Sequence, residues 1–296
     1  MAIRPASART AFNTINMHGR YVLVDFRPRE AFLDAFIRRA LPLSLPPLPE
    51  ELEELGRVAA QTTETLRAQG ESAEVPRLLL VAAEADCETV RAAATEHALS
   101  VGFGTVLLYA DSPGLDRFRA RYPFCVLSVP TELRALSAAA ANARLSLAAA
   151  EAALYANASF PFEVEERALF LGVTAHKNCA RMLRDLGVTR VAELRPNAER
   201  HGLVEEGPAG LTVHVDRLRL LDLDEFYARM AGWAGERVLF CAPTLALSTP
   251  LLLGYLLAHR GMDLAAASLR VFGAIEHSAP DRFLYSQLLQ WTPSAA

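Results

Sequence analysis

The run from Val238 to Ala258, VLFCAPTLALSTPLLLGYLLA, holds no charged residue. A helix of about 20 apolar residues crosses a bilayer, so such a run is either a membrane span or the inside of a folded domain. Its prolines decide between the two. Pro243 and Pro250 both lie within it, and a proline in a helix interior removes a backbone donor and crowds the preceding turn. A strand over Arg237–Cys241, a loop over Ala242–Ser248 and a helix over Thr249–His259 account for the run instead. A central strand of a parallel sheet is apolar on both faces, and the helix behind it is buried as well. No membrane segment is expected.

The remaining totals bound the function. At 296 residues the chain has room for two domains, and 22% charged residues argue against bulk disorder. A net charge of −4 supplies no basic face, so nucleic acid is not an expected partner. Arginine carries almost all of the positive charge, because Lys177 is the one lysine. Cys87, Cys125, Cys179 and Cys241 form no C-x-x-C pair, which suits a reducing compartment. His176 and Cys179 are three apart with no second pair nearby, so neither a metal nor another cofactor is expected. The first twenty residues lack the apolar core of a secretory signal and contain no acid. They suit the first helix of a domain in a cytoplasmic protein; a mitochondrial transit peptide is the alternative.

Strand-like runs alternate with helical stretches in two series. Tyr21–Phe26, Arg77–Ala82 and Thr105–Tyr109 read as strands, with helices over Asp86–Leu99 and Gly114–Arg121. The Pro-rich segment Leu41–Glu50 reads as a loop entering an acidic helix. Ala-, Leu- and Ser-rich residues from Leu133 to Asn157 read as a bridging helix. The alternation then restarts. Strands are expected at Ala168–Val173, Arg190–Leu194 and Leu211–Val215, and helices at His176–Leu186, Leu223–Trp233, Asp263–Phe272 and Pro280–Trp291. The fold class is α/β, with a parallel sheet in the first half and a central sheet flanked by helices in the second. Domains are expected at 8–128 and 161–293, joined by an Ala-rich helical linker at 129–160.

A cysteine at a strand end, followed by a tight loop and a helix start, is an arrangement that cradles anions and activates thiols. Residues 161–292 resemble a dual-specificity phosphatase domain. The resemblance is carried by ALFLGVTAHKNCARMLRDLGVTRVAEL, by VLFCAPTLALSTPLLLGYLLAHRGMDLAAASLRV and by APDRFLYSQLLQW. That family's signature is H-C-x-x-G-x-S-R-S. Here the positions read Phe240, Cys241, Ala242, Pro243, Thr244, Leu245, Ala246, Leu247 and Ser248. Cys241 and Ser248 are kept, while the signature arginine falls on Leu247, the histidine on Phe240 and the glycine on Thr244. A leucine offers no forked donor to a phosphate dianion. Pro243 removes an amide from the cradle. The family's general acid would lie before Leu223, where Asp216 and Asp222 are the candidates.

The first half resembles a rhodanese-like domain. In YVLVDFRPREAFLDAFIRRALPLSLP, the positions Asp25, Arg27, Glu30, Phe32, Ile37, Ala40 and Pro42 fall on that family's pattern, and Ala35-Phe36 replaces its Gly-His pair. The resemblance puts the sulfur-carrying cysteine at Ala82 or Ala83. Cys87 comes several residues later, so sulfur transfer is not expected. In phosphatases that act on mitogen-activated protein kinases, such a domain docks the kinase through arginines followed by apolar residues. Arg38, Arg39, Leu41 and Leu43 suit that docking role.

Both halves together resemble the serine/threonine/tyrosine-interacting-like pseudophosphatases. The resemblance implies a non-catalytic regulator or adaptor in kinase and phosphatase signalling. Its partners would be proteins: a mitogen-activated kinase, another phosphatase or a phosphoprotein. One departure stands out, since that family loses the signature cysteine and keeps the arginine, whereas this chain does the reverse. The alternatives are a weakly active cysteine-dependent phosphatase using Cys241, and a kinase-docking module alone.

Overall fold

The computed structural model describes residues 3–17, 20–68, 75–101, 103–129, 134, 160–196, 202–205, 210–215, 221–275 and 279–293. The Ala-rich stretch after Leu133 and Asp216 lie outside the described residues, apart from Arg134. The chain divides into two compact units, Met1–Ala158 and Ser159–Ala296.

Unit one begins with β1 (Ile3–Ala6) and α1 (Ala8–Asn16), then β2 (Tyr21–Asp25), α2 (Arg29–Asp34), β3 (Phe36–Ile37) and β4 (Leu41–Pro42). It continues through α3 (Pro49–Ala68), β5 (Arg77–Ala83), α4 (Cys87–Val101), β6 (Thr105–Asp111), α5 (Asp116–Arg121) and β7 (Val126–Leu127). Five strands form one sheet in the order β1-β6-β5-β2-β4, with every neighbouring pair parallel. The middle strands β2 and β5 are nearly continuous in Val, Leu and Ala because helices cover both faces. On one face Val22, Val24, Leu78 and Leu80 pack with Leu55 and Ala59 of α3 and Val90 and Ala94 of α4. Elsewhere in the unit, Phe12 of α1 stacks on Tyr122 with ring centroids 4.2 Å apart.

A buried ion pair ties the end of β2 to the turn that leads into α2. Arg27 donates from its amide (3.0 Å) and Nε (2.9 Å) to Asp25 Oδ1, and from Nη2 to Asp25 Oδ2 at 2.5 Å. The same guanidinium reaches the carbonyls of Ala35 and Pro113. Neither side chain of the pair touches solvent.

Unit two begins with β8 (Phe162–Glu165), β9 (Leu169–Val173), α6 (Thr174–Lys177), α7 (Ala180–Leu186), β10 (Arg190–Pro196), β11 (Gly202–Glu205) and β12 (Gly210–Val215). After these come α8 (Leu223–Ala228), β13 (Val238–Ala242), α9 (Leu245–Arg260), α10 (Leu264–Ile275) and α11 (Arg282–Gln290). The sheet order is β11-β12-β10-β13-β9-β8. The four inner strands are parallel and the two edge strands antiparallel.

The uncharged run is β13, a two-residue turn and α9. Every residue of β13 is buried, and so is every residue of α9 from Leu247 to Leu257. A helix that is apolar on all sides belongs inside a domain. Among the described residues no helix is long and apolar enough to cross a membrane.

The structure corrects the expected loop over Ala242–Ser248. Helix α9 begins at Leu245, and Thr244 caps it, accepting the Leu247 amide on its hydroxyl at 3.4 Å. Pro250 therefore lies inside the helix rather than at its start. Its missing amide would have bonded the Ala246 carbonyl. The amide of Asp281, the residue that caps α11, donates to that carbonyl instead, at 2.8 Å. A proline is tolerated in a helix where another group takes up the freed acceptor. The single helix expected at His176–Leu186 is also broken, into α6 and α7, with Cys179 at the N-cap of the second.

Candidate functional site

Cys241 stands near the C-terminal end of β13, between Glu193 of β10 and Gly172 of β9 in the strand register. Residues in register on neighbouring strands send their side chains to one face. Cys241 therefore has a carboxylate-bearing neighbour on one side and no side chain on the other. The space beside Gly172 belongs to His176: a Cβ added at Gly172 would lie 2.3 Å from His176 Nδ1. His176 is buried, and its Nδ1 accepts the Val173 amide at 3.1 Å. That nitrogen is thus occupied, and among the described residues no group of three or more His, Cys, Asp or Glu is placed to hold a metal.

Glu193 is fully buried. Its Oε2 accepts from Lys177 Nζ at 2.7 Å and from Arg195 Nε at 2.9 Å, and Arg195 Nη2 lies 2.8 Å from it in the same ion pair. Burial alone would push this carboxyl up, but the bonds from Arg195 and Lys177 outweigh it and hold the carboxyl below its usual range. Glu193 Oε1 has no hydrogen-bond partner among the described residues. The single lysine of the chain is thus held on a buried acid beside Cys241.

Of the expected signature positions, Cys241, Ala242 and Ser248 are fully buried, and Leu247 is 8% exposed. Pro243 and Thr244 are exposed in the turn, with Leu245 and Ala246 half-buried in the first turn of α9. Ser248 Oγ donates back to the Leu245 carbonyl at 3.3 Å, so its hydroxyl serves the helix. Asp222 caps α8, accepting the Glu225 amide at 2.9 Å. Nothing in that contact makes it an acid for a reaction.

In unit one, Ala82 and Ala83 belong to β5 and are buried. Cys87 opens α4 and its thiol donates to the Ala83 carbonyl at 3.5 Å. Burial raises that thiol's pKa; Arg91 opposes the rise, and Glu84, Glu88 and Asp86 add to it. This is the reverse of what an activated thiolate needs.

The proposed docking arginines do not form an exposed pair. β3 pairs antiparallel with β7 and draws the turn after it inward, and the Arg38 amide donates to the Cys125 carbonyl at 2.9 Å. Arg38 is 4% exposed and Arg39 is half-buried with φ at 71°. Burial lowers the pKa of both guanidiniums. Leu43 is buried in the core, and Leu41 packs partly against it.

Two features escape a reading of the sequence alone. One is the Lys177–Glu193–Arg195 cluster, whose signal is an acid within an apolar strand run and a lone lysine. The other is a cleft in unit one beside the Leu-Pro segment, at the C-terminal edge of the sheet.

Solved structures similar to this chain include dual-specificity phosphatases. Human DUSP28 is 29% identical over 43% of this chain and 88% of that one, with a TM-score of 0.36. A mouse putative dual specificity phosphatase, complexed with zinc tungstate, is 24% identical over 43% of this chain and 82% of its own, with a TM-score of 0.35. The human tyrosine phosphatase-like serine/threonine/tyrosine-interacting protein is 17% identical over 42% of this chain and 91% of its own, with a TM-score of 0.34. No protein-family model and no curated protein matches the chain.

Proposed function

We propose that the chain is a pseudophosphatase: a phosphatase-like domain that has lost phosphate chemistry, preceded by a rhodanese-like domain, acting in the cytoplasm as a protein-binding regulator in kinase and phosphatase signalling. The observation that carries this reading is the surroundings of Cys241. The cysteine has no solvent exposure, and the buried Glu193 carboxylate is its neighbour in the sheet. The signature-arginine position is the buried Leu247. A phosphate dianion needs positive, forked donors at the point of attack. Here the nearby cations Lys177 and Arg195 are held on Glu193.

The motif resemblance in both halves supports the same reading, since the signature arginine of one is replaced by Leu247 and the sulfur-carrying cysteine of the other by Ala82 or Ala83. The partners are proteins on this reading, with a kinase, a phosphatase or a phosphoprotein as the classes to screen.

Hydrolysis of an aryl phosphate and of a phosphotyrosine peptide by the purified full chain tests it. The expected rate equals that of the Cys241→Ser variant and of buffer. Turnover that disappears in Cys241→Ser would overturn the proposal and favour the weak cysteine-dependent phosphatase.

A further inference from the structure

The C-terminal edge of the unit-one sheet carries a cleft. β2 hands the chain outward to β4, while its neighbour β5 hands it the other way, to β6. Where adjacent parallel strands diverge like this, a crevice opens at their carboxyl ends, and α/β sheets bind ligands there. In this protein a cleft of about 740 Å³ lies at the β2 side of that crevice, running from the end of β2 past α2 and β4 to α3, with Asp86 of the turn after β5 on its rim. That volume is within the range of sites that take a small ligand or a few peptide residues.

The lining has two characters. Phe26, Phe32, Leu45 and Leu48 give it an apolar wall. Leu48 is 46% exposed, one of few large apolar side chains so open to solvent among the described residues. Glu50 and Glu54 from the start of α3, and Asp86 from the turn after β5, make the lining acidic. The cations on the lining are Arg27 and Arg29, and Arg27 is committed to Asp25. Glu54 already has Arg57 at 2.5 Å, an exposed pair of the kind that contributes little and exchanges readily.

The wall is braced. Glu51 Oε2 accepts the amides of Ser44 (2.8 Å) and Leu48 (3.0 Å), and its Oε1 accepts the Ser44 hydroxyl at 2.9 Å. One carboxylate thus fixes the loop that presents Leu45 and Leu48, which lowers the ordering cost of binding.

We propose that this cleft binds a short segment of a partner protein in which an apolar side chain is flanked by arginine or lysine. The apolar side chain packs on the wall around Phe32 and Leu48, and the basic side chains lie against Glu50, Glu54 and Asp86. The charge runs opposite to the arginine-docking expectation: the acids belong to this chain and the bases to the partner. Because it stands on unit one alone, the inference holds or fails independently of catalysis at Cys241.

Fluorescence anisotropy of the full chain with two labelled peptides tests it. One carries a leucine-phenylalanine pair flanked by arginines; in the other each arginine is glutamate. The arginine peptide is expected to bind at least about tenfold more tightly and to weaken as salt is raised. Leu48→Ala should weaken it about tenfold, and Glu50→Arg combined with Glu54→Arg should invert the preference. Equal affinity for the two peptides on the unaltered chain, or tighter binding of the acidic one, overturns the proposal. So does unchanged binding by variants that melt like the parent. If a variant folds poorly, the two-peptide comparison on the unaltered chain still decides.

Discussion

Glu193 is a carboxylate without access to water, in register with Cys241 in the sheet of unit two. Removing its charge tests what it does. Its folded pKa lies below its ordinary value, so it contributes stability that is fully present above the unfolded pKa and is lost as pH falls through the folded one. Glu193→Gln should lower stability at neutral pH by about 2 kcal/mol. That is less than the 3–5 kcal/mol of a fully buried broken pair, because Lys177 and Arg195 keep contact with solvent. The variant should also lose less stability than the parent between pH 5 and pH 3, a window set by the ordinary carboxylate range. Urea midpoints at neutral and acid pH measure both effects, and parallel pH profiles would contradict this account of Glu193. The cysteines give a second check at the same scale. Cys87 and Cys179 are partly exposed while Cys125 and Cys241 are buried. Alkylation of the folded chain, read by mass spectrometry, should therefore mark the first two well before the others. Rapid labelling of Cys241 would contradict the sealed site.

Among the elements, α9 shows best what the sequence could and could not reveal. Its apolar run marks a buried strand and helix correctly, but Pro250 suggests a later helix start. What lets the helix begin at Leu245 is the Asp281 amide on the Ala246 carbonyl, supplied from far along the chain. No local pattern encodes that compensation. The strands β2, β5, β6, β9 and β13 are legible because central strands read as nearly continuous hydrophobic runs, and β10 (RVAELRP) and β12 (GLTVHV) through shorter apolar stretches. The edge strands β1 (IRPA) and β8 (FEVE) are not, since they are short and mix charge or proline into the pattern. The same helix offers a test of close packing. Gly254 lets Tyr227 cross α9, its hydroxyl donating to the Leu251 carbonyl at 2.9 Å, and a Cβ there would lie 2.1 Å from that hydroxyl. Alanine ordinarily favours a helix interior over glycine by about 1 kcal/mol. Gly254→Ala should nonetheless destabilise, by about 2 kcal/mol, because a buried ring has to move. A thermal melt of the variant at or above the parent's would show that Tyr227 yields more easily than its burial implies.

For the whole molecule, the division into Met1–Ala158 and Ser159–Ala296 is a statement about where cores lie. Each unit has its own sheet, closed over by its own helices. A unit of this size buries enough apolar surface to fold without help from a second domain. The two segments expressed separately should each unfold cooperatively. The Asp25–Arg27 pair supplies a way to address one unit alone. Arg27→Leu leaves Asp25 buried with no cation, a change that costs about 3–5 kcal/mol. It also frees the carbonyls of Ala35 and Pro113 that Arg27 satisfies. The first segment should therefore melt lower by on the order of 10 °C. In the full chain, the same substitution should move the transition of unit one and leave that of unit two in place, as followed by calorimetry. A single transition that shifts as a whole would mean that the cores unfold together, and a segment with no cooperative transition of its own would mean that its core is completed by the other.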